Sequence, residues 1–480
     1  MSVLVVDVGT SSVRASVLRP DTSVAAEHVV PLLPASPEPG LVEFDASAMA
    51  SVVLETARAA LAEGGPVLAV GVANQRGSTV VWERRTGEPV GPGLGWQDLR
   101  TVGRCLALRT EGLRLAPNVS ATKLAWLLDE ADPGRRRDLC FGTVDSWVAW
   151  TLSGGTLHVQ DATNAALTGL RTSDGRGWAA RTLDALAVPE AALPRVVDTS
   201  GVAGEAAALP GSPPIAALVG DQQASLVGQG CVRPGTAKVT FGTGGMLDVC
   251  LGPDRPGFET RGPHGTFPIV AWRRGGADIW GLEAIVLSAG TSVEWLRDDL
   301  GVISSAAESH DVAARCGDTG DVWYVPALLG LGTPQWDFGA RGTVLGLTRG
   351  TGRPQLVRAV LEGVAHRGAD LLEAVEADGD VALPVLRVDG GMSANPTFVR
   401  ALADATGRPV EVSPVLEATT RGAAFLAGLA VGVWRDLDEV AATWSPRAVV
   451  EPGRALDRDR WRAACARAAA WLPELSALDL

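Results

Sequence analysis

The chain of 480 residues contains only two lysines, Lys123 and Lys238, although it has 42 basic residues in all. Neither lysine lies in a Gly-Lys-Ser or Gly-Lys-Thr sequence, which excludes the phosphate-binding loop of the P-loop nucleotide enzymes. The formal net charge of -13 argues against binding to nucleic acid or to an anionic membrane surface. Any nucleotide site must therefore be built from another kind of loop.

Cysteine is scarce and scattered, with six residues and no Cys-x-x-Cys pair. This pattern argues against a zinc knuckle or a disulfide framework and favours a reducing compartment. The five histidines fall in no zinc-ligand or nucleophile-elbow pattern. No apolar run approaches the roughly 18 to 20 residues of a membrane helix, and no charged-then-apolar leader precedes the first apolar run. The sequence therefore predicts a cytoplasmic protein with no membrane partner.

A small polar turn between two apolar runs lies near the start of the chain. The runs at 3–8 and 13–18 are of β type, and Gly-Thr-Ser-Ser occupies the turn at 9–12. Gly9 permits a tight turn, and hydroxyls beside exposed N–H groups form a concavity suited to phosphate oxygens. Asp7, near the end of the first run, is placed to face a phosphate-bound metal ion. An ordinary hairpin without a ligand is the alternative interpretation.

A second hairpin of the same kind lies at 237–250, where two β-type runs flank a Gly-Thr turn. Two halves that each open on such a hairpin indicate a duplicated fold with a nucleotide between them, and chance similarity is the alternative. The length also predicts two domains, which we place at 1–232 and 233–480. Apolar strands alternate with amphipathic helices, so we expect an α/β fold; the helices include 45–62, 123–130, 355–375 and 419–433.

Polar turns follow the buried strands at 67–73, 215–219 and 385–388. Arg76 follows the strand at 67–73, and Asp221 follows the strand at 215–219. Ligands of α/β folds lie at the carboxyl ends of strands, so Arg76 is a candidate substrate contact, with an ordinary surface arginine as the alternative. Asp221 could accept a proton from a cleft or could simply cap the helix that follows.

In this order the hairpins and turns resemble the FGGY carbohydrate kinases, and within that family the chain is most similar to the glycerol kinases. The resemblance covers nearly the whole chain and rests on Asn74-Gln75-Arg76 and on the motifs at 141–145, 220–224, 341–350 and 386–391. It implies an actin-like ATPase fold, in which two ribonuclease-H-like α/β domains flank a central cleft. It also implies ATP-dependent phosphorylation of a sugar or polyol hydroxyl, with ATP and Mg²⁺ as cofactors.

The resemblance further implies a role for individual residues. Asp221 would be the general base and Asp7 would hold Mg²⁺ through water. The residues that would contact the nucleotide phosphates are Thr10, Ser11, Ser12, Arg14, Thr243 and Gly244, and those that would line the adenosine site are Gly290, Glu294, Gly391 and Asn395. Substrate would be held by Arg76, Trp96 and Gln222. Because phosphoryl transfer needs little covalent work from the protein, positioning and charge neutralisation should provide most of the rate.

Four positions depart from the glycerol kinase pattern. Gly77 stands where those enzymes have a glutamate that binds substrate hydroxyls, Asn118 replaces a tyrosine, Met246 a phenylalanine, and Glu294 a glutamine. Loss of a buried carboxylate removes discrimination between hydroxylated substrates. The smaller residues at 77 and 118 are expected to leave room for a longer polyol or a ketose, so we do not expect glycerol to be the best substrate.

Several alternatives stay open at this stage. A xylulokinase-like pentulose kinase and a tetritol kinase fit the same motifs as a divergent glycerol kinase. A non-catalytic sugar or nucleotide sensor would be favoured by loss of Asp7 or Asp221, both of which are present. An actin-type or chaperone-type ATPase would leave Arg76, Trp96 and Asp221 without a role. The expected partner is a small sugar or polyol, with a homodimer or a homotetramer as the assembly.

Overall fold

The computed structural model describes residues 2–415 and 417–478. The strands of the first half are β1 (Ser2–Val8), β2 (Ser12–Leu18), β3 (Val24–Pro31), β4 (Glu43–Phe44), β5 (Val67–Asn74), β6 (Val80–Glu83), β7 (Gly93–Leu94), β8 (Leu139–Gly142), β9 (Val159–Asp161), β10 (Arg195–Val197), β11 (Ser200–Glu205) and β12 (Pro214–Gly220). Those of the second half are β13 (Thr236–Phe241), β14 (Gly245–Gly252), β15 (Phe267–Arg274), β16 (Ala277–Val286), β17 (Trp323–Val325), β18 (Thr343–Leu345), β19 (Leu386–Asp389), β20 (Val410–Val412) and β21 (Ala448–Val450).

Helices connect these strands in both halves. The first half contains α1 (Ala46–Gly64), α2 (Val102–Thr110), α3 (Ser120–Ala131), α4 (Val144–Leu152), α5 (Ala162–Ala166), α6 (Ala180–Leu186) and α7 (Asp221–Gly228). The second half contains α8 (Gly290–Glu294), α9 (Glu308–Ala313), α10 (Arg353–Gly379), α11 (Pro396–Thr406), α12 (Ala418–Val431), α13 (Leu437–Ala442), α14 (Arg458–Ala468) and α15 (Pro473–Ser476). Within the described ranges, no helix combines the length and hydropathy needed to cross a membrane.

The first half forms a six-stranded sheet in the order β11-β12-β5-β1-β2-β3. β1 and β2 form the predicted hairpin, in which Asp7 lies opposite Arg14. β1 runs parallel to β5, and β5 runs parallel to β12 with Asn74 opposite Gly220. The carboxyl ends of these three parallel strands therefore meet at one edge of the sheet, which brings together segments that are far apart in sequence.

The second half forms a seven-stranded sheet in the order β15-β16-β14-β13-β19-β20-β21. β13 and β14 form the second predicted hairpin, and β13 is parallel to β19 with Thr240 opposite Asp389. The predicted α/β architecture is thus confirmed, with one large sheet in each half of the chain beside four two-stranded sheets among the described residues. All six cysteines are free thiols.

Two helices connect the sheets. α7, the last helix of the first half, packs against α12, which also lies on β5 and β12 of the first sheet. Glycine makes this close approach possible: a Cβ at Gly422 of α12 would overlap the carbonyl group of Ala224, and a Cβ at Gly228 of α7 would overlap that of Ala418. The helix pair therefore forms the junction between the halves, directly behind the turn that carries Asp221.

Helix ends follow local sequence signals. α1 begins after Asp45, whose Oδ1 accepts hydrogen bonds from the backbone N–H groups of Ser47 at 2.8 Å and Ala48 at 3.0 Å, as predicted for an N-cap. α12 ends before Gly432, which adopts a left-handed conformation with φ of 78°. The observed helix therefore ends two residues before residue 433, the carboxyl end predicted from the sequence.

Candidate functional site

Asp221 is the first residue of α7, and its carboxylate does not cap that helix. Gly220 is the N-cap residue, and Asp221 Oδ1 accepts a hydrogen bond from the adjacent backbone N–H of Gln222, at 2.8 Å. Arg76 Nε lies 3.3 Å from the same oxygen. Burial raises the pKa of Asp221, and the nearby Arg76 opposes that rise. The geometry favours a partly exposed carboxylate beside Arg76 over the alternative of a simple helix cap.

Asp7 lies at the end of β1, next to the turn that carries Asp221. Burial raises the pKa of Asp7 to about 7, and the neighbouring negative charge of Asp221 adds to this rise. Within the described part of the chain, no side chain or backbone N–H donates a hydrogen bond to the Asp7 carboxylate. A half-buried carboxylate without a donor, beside a second carboxylate, is a suitable oxygen ligand for a hard divalent cation.

Arg14 links the first hairpin to the second half of the chain. Its guanidinium forms ion pairs with Glu27 at 2.9 Å and with Glu417, just before α12, at 2.8 Å. A nucleotide phosphate that binds Arg14 must therefore share it with two carboxylates. The pair with Glu417 joins residues 403 positions apart and could not be read from the sequence.

The turn of the first hairpin contacts the segment that carries Trp96. Trp96 Nε1 donates to Thr10 Oγ1 at 3.2 Å, and the Trp96 backbone N–H donates to Ser78 Oγ at 3.0 Å. Ser11 is exposed and Ser12 is half-buried, so their hydroxyls lie at the surface of the cleft edge. The structure thus places a predicted phosphate contact and a predicted substrate contact side by side.

The turn of the second hairpin packs onto the start of α8. The carbonyl of Gly242 accepts a hydrogen bond from Gly290 N at 2.9 Å, and the carbonyl of Thr243 accepts one from Ala289 N at 2.9 Å. A Cβ at Gly290 would lie 2.5 Å from the Gly242 carbonyl oxygen, so a glycine is required for this approach. Gly244, next in the turn, is half-buried. Thr243, Gly244 and Gly290 are thereby held together.

The other predicted adenosine residues lie on neighbouring elements. Glu294 is exposed at the end of α8, and Gly391 is exposed in the turn after β19. Asn395 caps α11 through a hydrogen bond from Phe398 N at 3.1 Å, and its Nδ2 donates to Ser309 Oγ at 2.8 Å. The Asn395 amide is therefore engaged within the protein, and its part in nucleotide binding stays a prediction.

Gly77 is buried against the turn that carries Asn118. Its φ of 72° is left-handed, and a Cβ there would overlap the Asn118 carbonyl oxygen. Lys123 holds that turn in place, with Nζ donating to the carbonyls of Asn118 at 3.2 Å and Gly95 at 3.1 Å. The room expected beside Gly77 is therefore occupied by main chain. Asn118 itself is exposed, so the space that its small side chain leaves lies on the solvent side of the turn.

Arg76 also contacts residues of the second sheet. Its Nη2 forms an ion pair with Glu283 Oε2 at 2.6 Å and lies 4.0 Å from the sulfur of Met246. Gln222 is also tied to that sheet, since its Oε1 accepts a hydrogen bond from Lys238 Nζ at 2.6 Å. Of the predicted substrate residues, Arg76 thus contacts Met246, Gln222 follows Asp221, and Trp96 lies against the turn of the first hairpin.

Sequence reasoning missed Lys238, Asp248 and Glu283 as part of this site. Lys238 Nζ lies 2.7 Å from Asp248 Oδ2, and all three side chains are buried. One signal was present: Lys238, Asp248 and Glu283 each have an apolar residue on at least one side within a strand, and Lys238 and Asp248 lie opposite each other across the second hairpin. Such charges are rarely buried unless they are paired.

Comparison with known proteins shows the family to which the chain is similar. The N-terminal domain profile of the FGGY family of carbohydrate kinases matches residues 2–228, and the C-terminal domain profile matches residues 237–431. A glycerol kinase of Trichlorobacter lovleyi is 42% identical over 496 residues, covering 98% of this chain and 99% of its own, and one of Aromatoleum aromaticum is 42% identical over 494 residues, covering 98% and 99%.

Solved structures show the same similarity. The crystal structure of Plasmodium falciparum glycerol kinase with ADP has a TM-score of 0.90 at 25% identity, covering 100% of this chain and 99% of that one. A xyloylose kinase from Brucella ovis has a TM-score of 0.87 at 26% identity, covering 100% of both chains.

Proposed function

The chain belongs to the FGGY family of carbohydrate kinases, and from this premise we propose how its residues divide the work of an ATP-dependent kinase that acts on a sugar or polyol hydroxyl. Its two-sheet architecture is the actin-like ATPase fold, as predicted. The observation that supports the proposal most strongly is the position of Asp221: a half-buried carboxylate that does not cap its helix and is flanked by Arg76.

Asp221 is the proposed general base. The hydroxyl of the acceptor gives its proton to an Asp221 carboxylate oxygen while its oxygen forms a bond to the γ-phosphorus of ATP. The bond from that phosphorus to the bridging oxygen breaks, and ADP leaves. Burial, which raises the pKa of Asp221, makes it a better proton acceptor than an exposed aspartate. Arg76, Trp96 and Gln222 hold the acceptor in line.

Asp7 is the proposed residue that holds Mg²⁺. No cluster of three or more His, Cys, Asp or Glu side chains with metal-binding geometry occurs among residues 2–415 and 417–478. A single carboxylate suits Mg²⁺, which is commonly bound by one or two carboxylates together with water and substrate phosphates. The ion would supply charge neutralisation at the phosphates. The phosphates themselves would lie against Arg14 and the two hairpin turns, Thr10 to Ser12 and Thr243 to Gly244.

The proposed adenosine contacts are Gly290, Glu294, Gly391 and Asn395, on α8 and on the turns before α11. Their support is the hydrogen bonding that holds α8 to the second hairpin. Each domain would contribute one hairpin, with the boundary between residues 232 and 233, after α7 and before β13. Either a homodimer or a homotetramer stays a prediction for the assembly.

The preferred acceptor is proposed to differ from glycerol. The position of the substrate-binding glutamate of glycerol kinases is Gly77 here, and the Asn118 carbonyl occupies the direction that a side chain would take. The pocket therefore offers a neutral carbonyl and a flexible Met246 where those enzymes offer a carboxylate and an aromatic ring. The alternative is glycerol itself, favoured by the identity of 42% to enzymes named glycerol kinase.

ADP release tests this proposal. Purified protein and MgATP are incubated with glycerol, erythritol, ribitol, arabitol, the four ketopentoses and several hexuloses. The expected result is a kcat/KM for another of these acceptors above that for glycerol, because the carboxylate that would discriminate between hydroxylated substrates is absent at Gly77. A highest kcat/KM for glycerol would contradict the altered acceptor preference while leaving the kinase activity intact.

A further inference from the structure

A row of charged side chains crosses the second sheet on neighbouring strands. Glu283 of β16 lies opposite Asp248 of β14, which lies opposite Lys238 of β13. The row continues to Arg387 of β19 and Glu411 of β20. Because side chains opposite one another in a sheet project from the same face, these five residues form one line of neighbouring charged side chains across the sheet, in the order acidic, acidic, basic, basic, acidic.

Only one end of this row reaches the predicted acceptor pocket. At that end Glu283 pairs with Arg76 at 2.6 Å. At the other end Glu411 pairs with Arg387 at 3.3 Å and accepts a hydrogen bond from Trp444 Nε1 at 2.6 Å. Glu283 and Glu411 are thus chemically similar members of the same row, and only Glu283 contacts a residue of the site.

Arg76 is held between two carboxylates. Its Nη2 is 2.6 Å from Glu283, whereas its Nε is 3.3 Å from Asp221, so the contact with Glu283 is the closer one. Burial raises the pKa of Glu283 to about 7, with Arg76 opposing and Asp248 adding to the rise. Lys238, which pairs with Asp248 at 2.7 Å, also donates to Gln222 and so fixes the other proposed substrate side chain.

We propose that Glu283 is a positioning residue for the kinase reaction, which holds the Arg76 guanidinium away from Asp221 and toward the acceptor. Without the Glu283 charge, Asp221 is the remaining carboxylate partner of Arg76. The guanidinium then closes onto Asp221 and blocks the base while it withdraws from the acceptor. Displacements of about 1 Å in such sites cost on the order of 100-fold in rate. The inference rests on the proposed roles of Arg76 and Asp221.

The test compares four variants by steady-state kinetics with the preferred acceptor, and checks each fold by thermal unfolding. Glu283→Gln should lower kcat/KM for the acceptor roughly 100-fold while KM for ATP changes less than threefold. Glu283→Asp, which keeps the charge and is milder for folding, should recover part of this loss. Glu411→Gln is the matched control and should leave both constants unchanged.

The fourth variant, Arg76→Gln, separates the inference from the proposed function. Unchanged acceptor kinetics in Arg76→Gln would overturn the role of Arg76 and with it the role of Glu283. A large loss in Arg76→Gln together with kinetics of Glu283→Gln and Glu283→Asp that match those of Glu411→Gln would overturn only the inference. Loss of thermal stability in the Glu283 variants without any change in the acceptor constants has the same meaning, because it indicates a purely structural ion pair.

Discussion

Replacement of Gly422 by alanine should disturb the junction between α7 and α12 and thereby the catalytic turn. A Cβ at this position would lie 2.6 Å from the carbonyl carbon of Ala224 and 2.8 Å from Gly228 N, and ordinary contact begins at 3.4 Å. Relief therefore needs a shift of at least about 0.8 Å between two helix backbones, which flexible side chains cannot absorb. Ala224 lies one helical turn after Asp221, so the proposed base moves with it.

The expected cost follows from these contacts. Overpacking of this kind costs about 1–3 kcal/mol, and the better helix propensity of alanine returns up to about 1 kcal/mol. The unfolding temperature should fall by up to about 3 °C for a chain of this length, and kcat should fall by about tenfold or more because the base is misplaced. Differential scanning calorimetry and an ADP-release assay measure the two effects.

Gly103 provides the control for this prediction. It is exposed on α2, and a Cβ there would have no heavy atom within 4 Å. Gly103→Ala should leave kcat unchanged and keep or slightly raise the unfolding temperature. If Gly422→Ala behaves like Gly103→Ala in both assays, the reasoning about the helix junction is refuted.

Three further predictions concern Asp7, Lys123 and Gly77. Burial raises the pKa of Asp7 to about 7, so protons should compete with Mg²⁺ for this carboxylate. Calorimetric titration of the nucleotide-free protein should show Mg²⁺ binding that weakens about tenfold per pH unit below 7. Equal Mg²⁺ affinity at pH 5.5 and 8 would contradict this. Burial lowers the pKa of Lys123 to about 7, so between pH 7 and 9 the unfolded chain keeps the ammonium proton that the folded chain loses. The free energy of unfolding should therefore rise by about 2 kcal/mol from pH 7 to 9. Urea unfolding of Lys123→Met should lack this rise. Gly77→Ala should lower the free energy of unfolding by about 1–3 kcal/mol, because residue 77 has a left-handed φ and the alanine Cβ would overlap the Asn118 carbonyl. An unchanged urea midpoint would be inconsistent with this left-handed conformation.

The fold could be predicted in large part from local sequence. The hairpins of β1–β2 and β13–β14 are apolar runs around glycine-containing turns, and each run has the length and boundaries of a strand. Strand ends determine the position of Asp7, Arg76 and Asp221, because parallel strands align their carboxyl ends at one edge. These features depend on short segments and on one general rule of α/β folds.

The parts of the site that escaped prediction depend on tertiary contacts. Glu283 reaches Arg76 only because β16 pairs with β14 in one register and the two sheets meet at the cleft. Local spacing cannot reveal that the Asn118 carbonyl occupies the space beside Gly77, so the prediction of extra room there was wrong on the side toward Asn118. In both cases the missing information is a contact between segments far apart in the chain.

Kinetics of Asp221→Asn test the central proposal most directly. Asparagine keeps the size of the side chain but cannot accept the proton at neutral pH. The expected result is a kcat reduced by about 10²- to 10⁴-fold, with KM for ATP and for the acceptor changed only a few-fold. Turnover within tenfold of the wild-type value would contradict the assignment of Asp221 as the base.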